Sequence, residues 1–118
     1  RLPYGGTLTS RFGYRGREIH TGIDLAGPRG SSIVASDGGT VTFSGWKGNY
    51  GYTIIIDHGE GLETLYAHCS SLLVKCGEKV AKGQVIAKVG STGRSTGNHL
   101  HFEIRKNGVE QNPYNFLS

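Results

Sequence analysis

Four of the five histidines, His20, His68, His99 and His101, stand in patterned places; the fifth is His58. His99-Leu100-His101 forms an HxH triplet. On a strand the side chains alternate, so the two imidazoles share one face while Leu100, Phe102 and Ile104 fill the other. His20-Thr21-Gly22-Ile23-Asp24 sets an imidazole and a carboxylate four residues apart with bare Gly22 between them, and in extended chain these also share a face. Together the two patterns offer two histidines and one carboxylate. Three protein ligands plus a water is the layout of a catalytic zinc site. Such an ion lowers the pKa of its water to about 7 and polarises a carbonyl. One histidine of the HxH pair is then left over, and His68, at the polar end of the stretch from Thr64, is a second spare. Water attack on an amide needs a proton acceptor and a stabiliser of the oxyanion, two roles for two spare histidines. The same ligand set also suits a 2-His-1-carboxylate iron oxygenase. Those enzymes typically place the first histidine and the acid only two apart, and two extra histidines crowd this site.

The elements that must position these groups read as strands. Val41 to Ser44 alternates after the Gly38-Gly39 turn, and Thr53 to Asp57 is a β-branched run suited to burial on both faces. Thr64 to His68 alternates again, and Gln84 to Val89 lies between Gly83 and Gly90. His99 to Arg105 is a strand that Asn107-Gly108 closes as a hairpin turn. The run Gly77 to Ile86 resembles the hairpin of lipoyl-like barrel-sandwich domains. Helical periodicity is nearly absent, and glycine is abundant, 20 of 118 residues. The fold expected is all-β: a compact antiparallel sheet, partly closed and sandwich-like, with a groove. One domain over residues 1–118 suits the length.

With all three motifs in view, the chain resembles the lysostaphin-type, LytM-like zinc metallopeptidases, the M23 peptidase family. The likeness runs from Thr9-Ser10-Arg11-Phe12-Gly13 to Asn112-Pro113. It is carried by HxxxD at His20–Asp24, by Tyr66-Ala67-His68, by HxH at His99–His101, and by the connecting Gly90-Ser91-Thr92-Gly93 and Gly97-Asn98. The resemblance implies one Zn²⁺ per chain held by His20, Asp24 and His101, with His68 and His99 as catalytic histidines. Tyr14, six residues before His20, matches a tyrosine that points into the site in some members. The implied substrate is the peptide part of bacterial peptidoglycan, either the stem cross-link or a glycine-rich bridge. The implied location is extracytoplasmic, with other domains of a longer parent chain as candidate partners. Degenerate relatives lose one or more of the five residues and scaffold or activate another cell-wall hydrolase. This sequence keeps all five, which favours catalysis.

The remaining features are plainer. Net charge is +4, but Lys and Arg are scattered with no basic helix or aromatic-rich signature, so nucleic acid is not expected as a partner. No apolar run approaches the roughly 20 residues needed to cross a bilayer, and no leader pattern is seen. His58 reads as structural or solvated at a strand end. Glu103 and Arg105 fall on the histidine face and read as a solvated ion pair flanking the groove. Cys69 and Cys76 cannot form a CxxC zinc pair; they read as free thiols, with a cross-hairpin disulfide as the alternative.

Overall fold

In chain order the strands are β1 (Thr7–Ser10), β2 (Gly13–Arg15), β3 (Glu18–His20), β4 (Ile23–Ala26), β5 (Ser32–Val34) and β6 (Gly39–Trp46). They continue as β7 (Tyr52–Gly59), β8 (Leu62–Leu72), β9 (Lys79–Val80), β10 (Val85–Val89), β11 (His99–Lys106) and β12 (Val109–Gln111). The computed structural model describes residues 2–15, 18–95 and 97–116. Among these the only helical pieces are 3₁₀ turns at Gly48–Tyr50 and Pro113–Asn115. Among the described residues no helix is long and apolar enough to cross a membrane.

Ten of the strands form one antiparallel sheet with the path β1-β4-β11-β8-β7-β6-β9, while β12 pairs with β11 and β10 pairs with β5 and β8. The strands β2 and β3 pair separately. This is the expected all-β architecture. Tight turns set its registers. Glu60-Gly61 joins β7 to β8 with both residues at positive φ, 55° and 79°, and Asn107-Gly108 does the same between β11 and β12 at 52° and 83°. Positive φ at both central positions is what a two-residue hairpin of matching twist requires. The Gly77–Ile86 run is not a hairpin of its own, because β9 pairs with β6 whereas β10 pairs with β5 and β8.

The core lies between the β4–β11–β8–β7 strands and the strands folded over them. Ile23, Ile54, Ile56, Tyr66, Ile86, Val89, Leu100 and Phe102 are all fully buried. The long strand β8 is the hinge of this arrangement. One edge pairs with β7 as far as Cys69. The opposite edge pairs with β11 up to Ala67 and with β10 from Cys69 onward. His68 sits at the changeover, and across from β7 the register slips there, so Ala67 and His68 together face the single residue Thr53. His68 takes φ +63°, a left-handed conformation uncommon for any residue but glycine. The expected alternation along Thr64–His68 therefore breaks at its last residue. A bulge of this kind re-aims a side chain, and here it turns the imidazole out of the sheet's regular pattern.

Candidate active site

The ladder between β4 and β11 places Asp24 directly opposite His101. His101 Nδ1 lies 2.7 Å from Asp24 Oδ1. His20 joins them from the end of β3, with Nε2 3.4 Å from Asp24 Oδ2. Four residues of straight strand span about 13 Å, so a shared strand face alone cannot make that contact. The chain turns a corner at Thr21-Gly22 instead. Gly22 is required there: a Cβ would meet the Phe102 carbonyl oxygen at 2.2 Å and Glu103 Cγ at 2.9 Å. The corner thus lies flat on β11, and one ligand atom from each of His20, Asp24 and His101 falls within 4.8 Å of the others.

The other two histidines stand beside this cluster. The rings of His68 and His99 are 4.8 Å apart by centroid, and His68 is 6.1 Å from His101. His99 Nε2 approaches Asp24 Oδ1 at 3.9 Å. Hydrogen bonds assign the tautomers, because a carbonyl oxygen can only accept. Nδ1–H of His20 donates to the Arg11 carbonyl at 2.8 Å, that of His68 to Thr92 at 2.7 Å, and that of His99 to Gly97 at 2.9 Å. Each of these rings keeps an Nε2 lone pair for the site. His101 is held the other way round, with Nε2 2.8 Å from Glu103 Oε2 and Nδ1 turned to Asp24. The HxH residues are therefore anchored differently.

Glu103 was expected to be solvated with Arg105, and the structure corrects that: it is fully buried. Besides His101, its carboxylate accepts from Thr21 Oγ1 at 2.7 Å, from the Tyr50 hydroxyl at 2.7 Å and from Arg105 Nε at 2.9 Å. Thr21 comes from the corner and Tyr50 from the 3₁₀ turn, so two loops cover the strand face that sequence reasoning left open to water. Burial alone raises the Glu103 pKa, but the bonds from His101, Tyr50 and Thr21 outweigh it and bring it down to about 2. Burial likewise works against a charged His101, yet Asp24 and Glu103 raise its pKa to about 9. Burial dominates at His68 and lowers its pKa, so that ring stays neutral at physiological pH. Asp24 is lowered despite burial, chiefly by its bond to His101.

Two imidazoles and a carboxylate are the N and O donors zinc takes, and they leave room for the open fourth position of a catalytic site. A tetrahedral ion about 2.0 Å from each donor needs donor separations of about 3.3 Å, close to the His20–Asp24 distance of 3.4 Å. The donor set fits the ion. With Nε2–H fixed on Glu103, Nδ1 of His101 is the atom available to it. A carboxylate holding the far nitrogen of a ligand histidine is the usual outer support of such sites.

The cluster opens into a cleft of about 790 Å³, walled also by Asn49 and Tyr50 and by Gly93, Arg94 and Ser95. Tyr50 stacks on His101 at 5.8 Å and 25°. Tyr50 carried no spacing signal in the sequence, and Glu103 was placed on the histidine face but read as solvated; nothing there foretold that a 3₁₀ turn would fold over β11. Thr92 was visible only as part of a connecting motif. Its hydroxyl donates to the Cys69 carbonyl at 2.6 Å and accepts from Tyr52 N–H at 3.1 Å, clasping its loop to the bulge. Tyr14 lies on β2, opposite Ile19, and its side chain is outside the described residues. His58 is structural, as expected: Nδ1–H donates to the Gly38 carbonyl and Nε2 meets Thr64 Oγ1 at 2.7 Å. Both cysteines are free, Cys69 buried and Cys76 exposed.

Residues 18–113 match the model of peptidase family M23. The chain is 51% identical over 112 residues to the DD-carboxypeptidase/endopeptidase Mpg of Neisseria meningitidis, covering 90% of this chain and 26% of that protein. It is 41% identical over 119 residues to the murein hydrolase activator NlpD of Salmonella dublin, covering 99% of this chain and 31% of that one. The chain thus spans only about a quarter to a third of these relatives. Among solved structures, a zinc-containing peptidase from Vibrio cholerae superposes with TM-score 0.89 at 34% identity, over 94% of this chain and 37% of that one.

Proposed function

The chain belongs to peptidase family M23, and from that premise we propose that it is a zinc-dependent endopeptidase acting on the peptide part of bacterial peptidoglycan. The observation that carries this reading is the pairing of one ligand cluster, His20, Asp24 and His101, with two histidines beside it that keep free Nε2 atoms. Zinc bound there would polarise the scissile carbonyl and acidify the attacking water. His68 holds its proton on Nδ1 against Thr92, so Nε2 is free to accept a proton from that water and pass it to the departing amine. His99, its ring 4.8 Å from that of His68 by centroid, takes the oxyanion-stabilising role. Tyr14 stays a candidate third group from the β2–β3 hairpin. The whole of residues 1–118 acts as one peptidase domain, working outside the cytoplasm and joined to further domains.

A relative named as a murein hydrolase activator covers 99% of the chain, which gives the second reading its one support: a non-catalytic module that activates another hydrolase. Metal content and rate, measured on the same preparations, separate the two. The purified protein is expected to hold about one zinc and to cleave defined wall peptides. Asp24→Ala and His101→Ala should lose zinc and activity together. His68→Ala and His99→Ala should keep most of the zinc yet lose about 10²-fold or more in rate, the scale of a general acid–base group. Equal zinc loss in His99→Ala and His101→Ala would indicate a closed four-ligand site and favour the activator.

A further inference from the structure

Among the described residues the cleft holds one permanent cation, Arg94, and it has no ion-pair partner there. The one carboxylate in the cleft lining, Asp24, is turned to the histidines. The contrast with Arg105 is instructive. That guanidinium is neutralised by Glu103 at 2.7 Å and approached by Glu110 at 3.7 Å, whereas Arg94 is exposed and uncompensated.

The backbone that carries it is nevertheless closely held. Arg94 N–H donates to the Asn49 carbonyl at 2.8 Å. The preceding Gly93 sits at φ +73°, and a Cβ there would come within 2.4 Å of Gly51 N and 2.6 Å of the Asn49 carbonyl oxygen. Two loops therefore touch backbone to backbone just before Arg94. Thr92 ties the same segment to His68, and Ser95 Oγ reaches His99 Nδ1 at 3.2 Å. The segment that orients both spare histidines thus also carries a cation at the cleft.

A guanidinium is a planar fork that matches a carboxylate with two parallel bonds. In a concave site it attracts and orients an anionic substrate. We propose that Arg94 binds a free carboxylate of the substrate peptide, so that the preferred substrate is a carboxylate-bearing stem peptide rather than a glycine bridge. A blocked polyglycine segment offers nothing for that cation to hold. The proposal rests on the peptidase reading above and names the substrate class of the same groove.

The experiment uses the zinc-loaded protein and four synthetic peptides. These are a wall stem peptide with a free C-terminal and a free side-chain carboxylate, two versions each amidated at one of those positions, and an end-blocked pentaglycine. Amidating the carboxylate that Arg94 holds should lower kcat/KM by about tenfold to a hundredfold, the scale of a charge-assisted pair, and pentaglycine should be poorer still. Whichever amidation costs rate identifies the C terminus or the side chain as the source. R94Q should erase the difference between acid and amide, and R94K should restore part of it, as a point charge without the fork. Binding of the same peptides to H68A and to H68A/R94Q, read by calorimetry, repeats the comparison without turnover. If the wild type cleaves none of the peptides, the peptidase reading fails and the binding arm alone decides the role of Arg94. An acid-to-amide ratio that R94Q leaves intact, or no difference between acid and amide in rate and binding, overturns the proposal.

Discussion

At the scale of single residues, the site rests on where each imidazole keeps its proton. His68 is neutral because burial lowers its pKa below the usual 6.5. A base is active when deprotonated, so its contribution is present above the folded pKa and lost as pH falls through it. The acid limb of kcat is therefore expected below pH 6.5, with little change from there to pH 8. Zinc measured on the same samples separates base protonation from metal loss, since the ligands must also be deprotonated to bind. A limb centred above pH 6.5 with zinc retained would remove His68 from the role of base. Glu103 makes a second test. Glu103→Gln keeps an acceptor for His101 Nε2–H but removes the negative charge that makes Nδ1 a better donor. Zinc affinity, read by competition with a chromophoric chelator, should fall roughly 10- to 100-fold. Wild-type affinity in that variant would reduce Glu103 to a packing role.

At the scale of elements, the changeover on β8 matters most. A strand that gives up one neighbour for another on the same edge cannot keep a regular ladder, and His68 occupies the irregular position. A left-handed conformation at a non-glycine residue costs on the order of 1–3 kcal/mol and persists only where the surroundings hold it. The Thr92 clasp to Cys69 and Tyr52 is part of that hold. Thr92→Val keeps the side-chain shape and removes both bonds, taking from the carbonyl of buried Cys69 its hydroxyl partner. It should cost about 1–3 kcal/mol in urea unfolding and lower kcat with zinc content intact. Unchanged stability would mean that water replaces the hydroxyl at no cost. The pattern of β-branched and alternating residues marked β6, β7, β8, β10 and β11 in the sequence. The short strands β1, β4 and β5 were not marked, because three or four residues carry too little periodicity.

At the scale of the molecule, the candidate ligand cluster draws on separate parts of the chain. His20 ends the small β2–β3 hairpin, Asp24 lies on β4, and His101 lies inside the main sheet on β11. A metal that binds only the folded arrangement stabilises it by mass action, about 2.7 kcal/mol at a free concentration 100 times Kd. At roughly 4 °C per kcal/mol for a chain of this size, zinc should raise the melting temperature by about 10 °C. Chelation should reverse the shift, and Asp24→Ala should abolish it. Calorimetry with and without zinc gives the answer, and an unmoved transition would argue against a site formed only by the fold.

The sequence by itself determined the all-β class and the family, and it marked the five candidate site residues, because these depend on residue type, local alternation and motif order. The HxH face and the Asn107-Gly108 turn were legible for that reason. The tertiary structure decided the rest. The contact between His20 and Asp24 comes from a corner that Gly22 allows against β11, not from a shared strand face. The tautomers of His20, His68 and His99 depend on carbonyl partners from 2 to 24 residues away in the chain. The burial of Glu103 depends on loops 82 and 53 residues distant. Spacing along a chain predicts which neighbours can share a face. Which distant backbone accepts a proton, and which loop shuts out water, follows only from how the elements pack.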